Sequence, residues 1–341
     1  MNNALLEARR LSRHFVVRTG HGLIRPKKTV RAVDDVSLSL HAGRVTAVVG
    51  ESGSGKSVLA RMLARIVTPT SGELLLGGQA IPVNSPRNLA YASEVQLVLQ
   101  DPFASINPVH KVRHSLERPL LIHGATKSEI ESRSSAALSR VSLEPPDRYL
   151  DRYPHELSGG QLQRVSIARA LCVNPQVLLA DEPISMLDVS VRLGVLNLLR
   201  GLCDNEKLAV LYITHDIASA RYIADETIVM YAGQVVEQSD GTALIDGPTH
   251  PYTQLLIASV PDPSDPLRRA PEIEDRAGQG QFPAEGCRFA PRCPHAMDVC
   301  RSSSPPLFEV ATGHESRCWL HESVAKVSIK GREQGGEIST T

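Results

Sequence analysis

The chain of 341 residues lacks any apolar run near the ~18–20 residues that span a bilayer. Its start, Met1 to Phe15, carries charges early and has no apolar central stretch, so it does not read as a secretory signal. The expectation is a protein that stays in the cytosol unless a partner holds it at a membrane. An excess of one charge is also missing: 37 Lys plus Arg balance 37 Asp plus Glu. Binding to a phosphate backbone usually shows as a basic excess, so nucleic acid is not expected as a partner. No internal repeat of the solenoid kind is visible. Tight CxxC pairs are absent, although six cysteines are present.

What is there suffices for one large domain with a smaller appendage. A 42% hydrophobic and 22% charged composition is ordinary for a globular chain. From about residue 5 to 240, strand-like and helix-like segments alternate, which predicts an α/β domain over 1–258. Buried-strand patterns occur at Arg44–Val49, Val95–Leu99, Val177–Ala180 and Ala209–Ile213, with two more near Ile228 and Val235. Helices are predicted over Lys56–Ile66, Val189–Leu202 and Asp216–Ala224, and Cys172 and Cys203 read as buried thiols inside helices. Strand character is lost between about 104 and 174, which reads as a helical insertion. Pro261–Ala284, rich in Pro, Asp, Arg and Gly, reads as a linker. It belongs to a Cys-rich unit over 259–322, and the polar stretch 323–341 is expected to be disordered.

Gly50-Glu51-Ser52-Gly53-Ser54-Gly55-Lys56-Ser57 has the spacing of a phosphate-binding loop, GxxxxGKS. Glycines let the backbone curl so that its N–H groups meet phosphate oxygens, and the following helix N-terminus favours an anion. A lysine at position 56 reaches the terminal phosphates, and a hydroxyl at position 57 ligates Mg²⁺. A strand pattern before the loop and a helix pattern after it supply the context the motif needs. ATP and Mg²⁺ are the expected ligands. No second Gly-Lys-Ser loop occurs.

Val177–Ala180 ends in Asp181 and Glu182. Asp181 at a strand end can hold the Mg²⁺ shell, and Glu182 can polarise a water for attack on a γ-phosphate. A strand-end turn capped by acids would look the same. Leu157-Ser158-Gly159-Gly160-Gln161 precedes a helix predicted over Leu162–Leu171. Ser158 and the glycine N–H groups at that helix start make a second anion site. Two phosphate-binding elements in one fold are redundant unless they serve different nucleotides. A head-to-tail dimer resolves this, each ATP lying between the loop of one chain and the Ser-Gly-Gly of the other.

Together these segments resemble the ATPase subunits of ABC transporters, along nearly the whole chain. The resemblance implies a P-loop α/β domain with a helical subdomain at about 104–174. It makes Gln100 the residue that links the Mg²⁺ site to that subdomain. It makes Ser185-Met186-Leu187-Asp188 the loop that crosses the dimer interface, with Asp188 at the nucleotide. His215 matches the histidine that contacts the γ-phosphate. Phe15 lies where the family stacks an aromatic on adenine, although a core aromatic would also explain it. Met186 departs from the small residue usual at its position, which leaves open whether both ATP sites of a dimer are equally active. Long coiled-coil arms, the mark of ABC ATPases in DNA repair, would need sustained heptads, which the helical stretch lacks.

Further segments narrow the branch: Lys28–Asp35 after a long N-terminal insertion, Gln100–Pro108, Asp188-Val-Ser190 and His250-Pro-Tyr-Thr253. They look like the oligopeptide/dipeptide importer ATPases, and more like the second, F-type, subunit than the first. That resemblance implies a second, different ATPase subunit as partner, two transmembrane permeases and an extracytoplasmic solute-binding protein. It places the chain at the cytoplasmic face of the cell membrane. The solute would be a peptide, although the same group also handles nickel, glutathione, antimicrobial peptides and some oligosaccharides.

Four cysteines crowd the last fifth of the chain, spaced Cys287-x5-Cys293-x6-Cys300-x17-Cys318. A reducing compartment disfavours disulfides there. Structural zinc and a [4Fe–4S] cluster both take four thiolates, and free thiols are the plain alternative. A short, weakly hydrophobic segment lacks a core of its own, which a metal centre would supply. The importer group carries a similar pattern, associated with an iron–sulfur cluster.

Overall fold

In the computed structural model the described residues are 4–18, 27–82, 88–259, 283 and 285–323. The predicted linker at 261–284, apart from Pro283, and the predicted tail beyond 323 lie outside them, as does part of the N-terminal insertion. Twelve strands form two sheets among the described residues. β1 (Leu6–Arg18), β2 (Lys27–Leu40), β4 (Ser71–Leu76) and β5 (Gln79–Ile81) make an antiparallel sheet in the order β2-β1-β4-β5. The second sheet has β3 (Val45–Val49), β6 (Val95–Val98), β7 (Val177–Asp181), β8 (Ala209–Thr214), β9 (Glu226–Tyr231), β10 (Gln234–Asp240), β11 (Phe308–Ala311) and β12 (His314–Ser316). Its order is β11-β12-β10-β9-β3-β8-β7-β6.

Strands β3, β7 and β8 are buried at every position because both faces of the sheet are covered. Val45, Ala47, Val49, Leu178, Ala180, Val210 and Tyr212 face one core, shared with the helices that follow β6. Val48, Val177, Leu179, Ala209, Leu211 and Ile213 face the other, shared with the helix Lys56–Leu63 and the antiparallel sheet. The continuous apolar runs of the sequence are therefore two interleaved half-strands, one per core.

No strand interrupts 99–176, and helices fill that stretch. Val112, Leu116 and Leu120 recur every four residues and form the buried stripe of the helix Val112–Ile122. Thr126 and Glu129 form a reciprocal capping box that starts the helix Lys127–Arg140.

Three features differ from the sequence reading. The antiparallel sheet was not separable from the alternating pattern, because β1 changes register repeatedly against β2 and loses a clean period of two. The helix predicted from Leu162 starts at Gly159, because Ser158 and Gln161 cap each other reciprocally, and Cys172 closes this helix instead of lying inside it. The Cys-rich segment was expected as a separate small domain. Instead β12 pairs antiparallel with β10 and β11 with β12, so the segment extends the main sheet.

Buried Glu237 fastens that attachment. It accepts the Thr249 N–H (2.7 Å), the Thr249 hydroxyl (2.8 Å) and the His250 N–H (3.0 Å). His314 Nε2 of β12 lies 2.7 Å from the same carboxyl. Burial alone would push this carboxyl up, but the hydrogen bonds led by those from His314 and Thr249 outweigh it and hold the group below its ordinary value.

Candidate nucleotide site

Parallel strands β3, β8, β7 and β6 lie side by side, so their carboxyl ends share one edge of the sheet. Each end carries a residue singled out in the sequence. The glycine-rich loop follows β3, His215 follows β8, Asp181 and Glu182 end β7, and Gln100 follows β6. Ligands of open α/β sheets gather at this edge. A cavity of about 1290 Å³ opens there, lined by Glu51, Ser52, Gly53, Gly55, Lys56, Ser57, Gln100, Glu182 and His215.

The loop is held by contacts only glycine permits. A Cβ on Gly55, at φ 103°, would sit 2.1 Å from the Ala32 carbonyl oxygen. Lys56 bends back into the loop, its Nζ donating to Gly50 O (2.7 Å) and Glu51 O (2.9 Å). Burial lowers the pKa of this amine, against the pull of Glu182, Asp181 and Glu51. A phosphate oxygen would give the ammonium a charged partner in place of two carbonyls.

Ser57 Oγ donates to Asp181 Oδ1 at 2.9 Å. Burial raises the Asp181 pKa, and the hydroxyl only partly offsets this. A buried carboxylate beside a hydroxyl is a donor set suited to a hard divalent cation such as Mg²⁺. Glu182 stands at φ 47°, an uncommon conformation for a residue with a side chain. Its N–H continues the sheet ladder to Ile213 O at 2.9 Å, so the backbone turns sharply while still tied to β8. Its Oε2 accepts from Gln100 Nε2 at 2.9 Å and lies 3.3 Å from His215 Nδ1.

Gly50, Ser54 and Asp181 sit behind the cavity wall. Ser158, Gly159, Gly160, Gln161 and Asp188 do not line this cavity at all. They cluster elsewhere: Ser158 caps the helix Gly159–Leu171, and a Cβ on Gly160 would lie 2.4 Å from Val191 Cγ1, beside Asp188. Phe15 does not line this cavity. The strand neighbour that lines the cavity is His14, with Nε2 3.3 Å from Asp34 Oδ1. Phe15, one residue on, lies 4.6 Å under the Arg13 guanidinium.

Other residues at the site carry no motif. Arg288 lines the cavity and pairs with Asp34 and the Ala232 carbonyl. The Tyr252 hydroxyl accepts the Glu51 N–H at 2.9 Å. Arg292 grips the Glu51 carboxylate with two hydrogen bonds, at 2.9 and 3.0 Å. These partners come from far along the chain, and no local spacing marks them.

The four late cysteines converge on a second, small space, lined also by His250, Phe289, Trp319 and Leu320. Burial raises the thiol pKa of Cys287, Cys293 and Cys318, the last to about 11. Among the described residues no three His, Cys, Asp or Glu side chains are placed to share one metal ion. The iron–sulfur and zinc expectations therefore meet converging thiols, not a preformed single-ion site.

Residues 33–185 match the family described as ABC transporter, and 236–300 match the oligopeptide/dipeptide transporter C-terminal region. The chain is 41% identical over 309 residues to the di/tripeptide transport ATP-binding protein DppF of Pseudomonas aeruginosa, covering 89% of this chain and 94% of that one. It is 40% identical over 325 residues to the oligopeptide transport ATP-binding protein AppF of Bacillus subtilis, covering 93% and 97%. Among solved structures, the ATP-binding cassette MJ0796, a dimer in a post-hydrolysis state bound to ADP and Pi, aligns with a TM-score of 0.59. That alignment is 27% identical and covers 69% of this chain and 98% of the other. cbiO1 from Clostridium perfringens, part of the ABC transporter complex cbiONQ, aligns with a TM-score of 0.62 at 25% identity, over 72% and 92%. Matched along almost its whole length by such relatives, the chain belongs to the ABC transporters, as an ATP-binding subunit of the oligopeptide/dipeptide branch.

Proposed function

We propose that this subunit hydrolyses ATP to drive import of peptides through a membrane complex. One observation carries the hydrolytic part: four adjacent strand ends bring the loop, His215, Glu182 and Gln100 to one cavity, with Asp181 bonded to Ser57 behind its wall. Peptide as the solute is supported by the names of the relatives and by the C-terminal match. No described helix is long and apolar enough to cross a membrane. Translocation would fall to two permease subunits, fed by an extracytoplasmic binding protein, with this chain at their cytoplasmic face.

In this reading the loop N–H groups and Lys56 hold the phosphates. Ser57 and Asp181 would hold Mg²⁺, with Gln100 beside them. The ion neutralises charge on the phosphate oxygens when bound. Glu182 orients the attacking water, and His215, next to the same carboxylate, aligns with the γ-phosphate. Ser158, Gly159, Gly160, Gln161 and Asp188 lie outside this cavity and serve the nucleotide of a partner subunit. That partner is a different ATPase chain, as the F-type resemblance implies. Glu182→Gln keeps the shape of the site but removes the acceptor charge. It should bind ATP as the parent does and lose turnover by about 10²-fold or more, measured by phosphate release. Unchanged turnover would remove Glu182 from the role.

The Cys287, Cys293, Cys300 and Cys318 thiols would hold a [4Fe–4S] cluster. Support comes from their convergence in a mostly apolar space. Purified without oxygen, the chain should be brown and carry about four irons. Equimolar zinc without visible absorbance would replace this reading with a structural zinc site.

A further inference from the structure

The Cys-rich segment does more than extend a sheet. Its Arg292 holds Glu51 of the phosphate loop, and Tyr252 of the preceding helix Pro251–Ala258 holds the same residue from a second side. The Tyr252 hydroxyl takes the Glu51 N–H. Arg292 takes both carboxylate oxygens. The Glu51 carbonyl receives Lys56 Nζ. All three polar groups of this loop residue are thus committed, two of them to chain more than 200 positions away. Arg292 is itself braced. Its guanidinium lies 5.7 Å from the Tyr231 ring centre and 5.9 Å from that of Phe289. Tyr231, Tyr252 and Phe289 pack together with centroids 4.6 to 5.6 Å apart. Arg292 ends the short turn Ala290–Arg292 and directly precedes Cys293.

We infer that Arg292 is a positioning residue of the ATP site, through which the Cys-rich segment sets the nucleotide affinity of the phosphate loop. The inference rests on the loop binding ATP. Glu51 lines the cavity and carries a negative charge where a tetra-anionic ligand must approach. Paired bidentately it is neutralised and fixed; unpaired it repels the phosphates. The arginine therefore acts on binding and not on the chemical step. Arg292 directly precedes Cys293, one of the four converging thiols.

The test uses full-length protein in the Glu182→Gln background, titrated with a fluorescent ATP analogue. Arg292→Gln should weaken binding about tenfold, as expected for one unpaired charge near a polyanion. Adding Glu51→Gln removes the stranded carboxylate and should restore affinity to within about threefold of the parent. Melting curves verify that each variant is folded. Equal affinity of Arg292→Gln and parent would overturn the inference. So would a double variant as weak as the single one, because loss of packing alone is not repaired at Glu51. A parent that binds no nucleotide would instead overturn the ATPase reading itself.

Discussion

At the residue scale, the same motif letter stands for different physics. Gly53 and Gly55 both have positive φ, 80° and 103°. A Cβ on Gly53 meets nothing within 4 Å, whereas one on Gly55 would strike the Ala32 carbonyl at 2.1 Å. Gly53→Ala should cost only its backbone strain, about 1–2 kcal/mol. Gly55→Ala must displace a strand backbone as well. It should cost more than about 3 kcal/mol or fail to close the loop, with nucleotide binding lost. Denaturant midpoints of the two variants measure the difference, and equal midpoints would contradict this account. Glu182 shows the converse. A non-glycine residue is held at φ 47° by a ladder hydrogen bond to β8, and the strain aims its carboxylate between Gln100 and His215. Strain of this size persists only where surroundings enforce it.

At the element scale, legibility followed locality. The phosphate loop, the acids ending β7 and the Ser158–Gln161 cap are each written within a few residues, and their spacing carries their chemistry. The central strands were legible because burial on both faces makes uninterrupted apolar runs. What depended on distant pairing was not. β12 finds β10 across some 77 positions, through Glu237 and His314, so the Cys-rich segment looked independent in sequence. Arg292 reaches Glu51 across 241 positions. The helix Gly159–Leu171 erred only at its start, where glycines lower intrinsic helix propensity but the reciprocal cap offsets it.

At the scale of the whole molecule, the site described here is incomplete in one respect. The residues proposed to hold phosphate and Mg²⁺ all come from the ends of β3, β6, β7 and β8, while the Ser158–Gln161 element does not line that cavity. Nearby, Met186 and Val189 are 60% and 79% exposed, and Leu193 of the same helix is 50% exposed. Apolar side chains this open beside a helix start suit a surface that is covered when nucleotide binds. The pairing proposed above covers it with a second ATPase subunit. ATP then acts as the interfacial ligand, and hydrolysis removes it. Glu182→Gln should therefore trap the pair. Mixed with its partner subunit and Mg-ATP, this variant should elute as a 1:1 dimer, while the parent returns to monomers as ATP is consumed. Ser158→Arg on this chain places a bulky cation over the helix start, where the partner's nucleotide would approach. It should abolish that dimer yet leave ATP binding by the isolated chain unchanged, because Ser158 is not part of its own cavity. Size-exclusion chromatography with light scattering measures the first effect and nucleotide titration the second. A Ser158→Arg chain that still dimerises with ATP would separate the Ser-Gly-Gly element from the interface. A Glu182→Gln chain that dimerises as readily with itself as with its partner would replace the heterodimer with a homodimer.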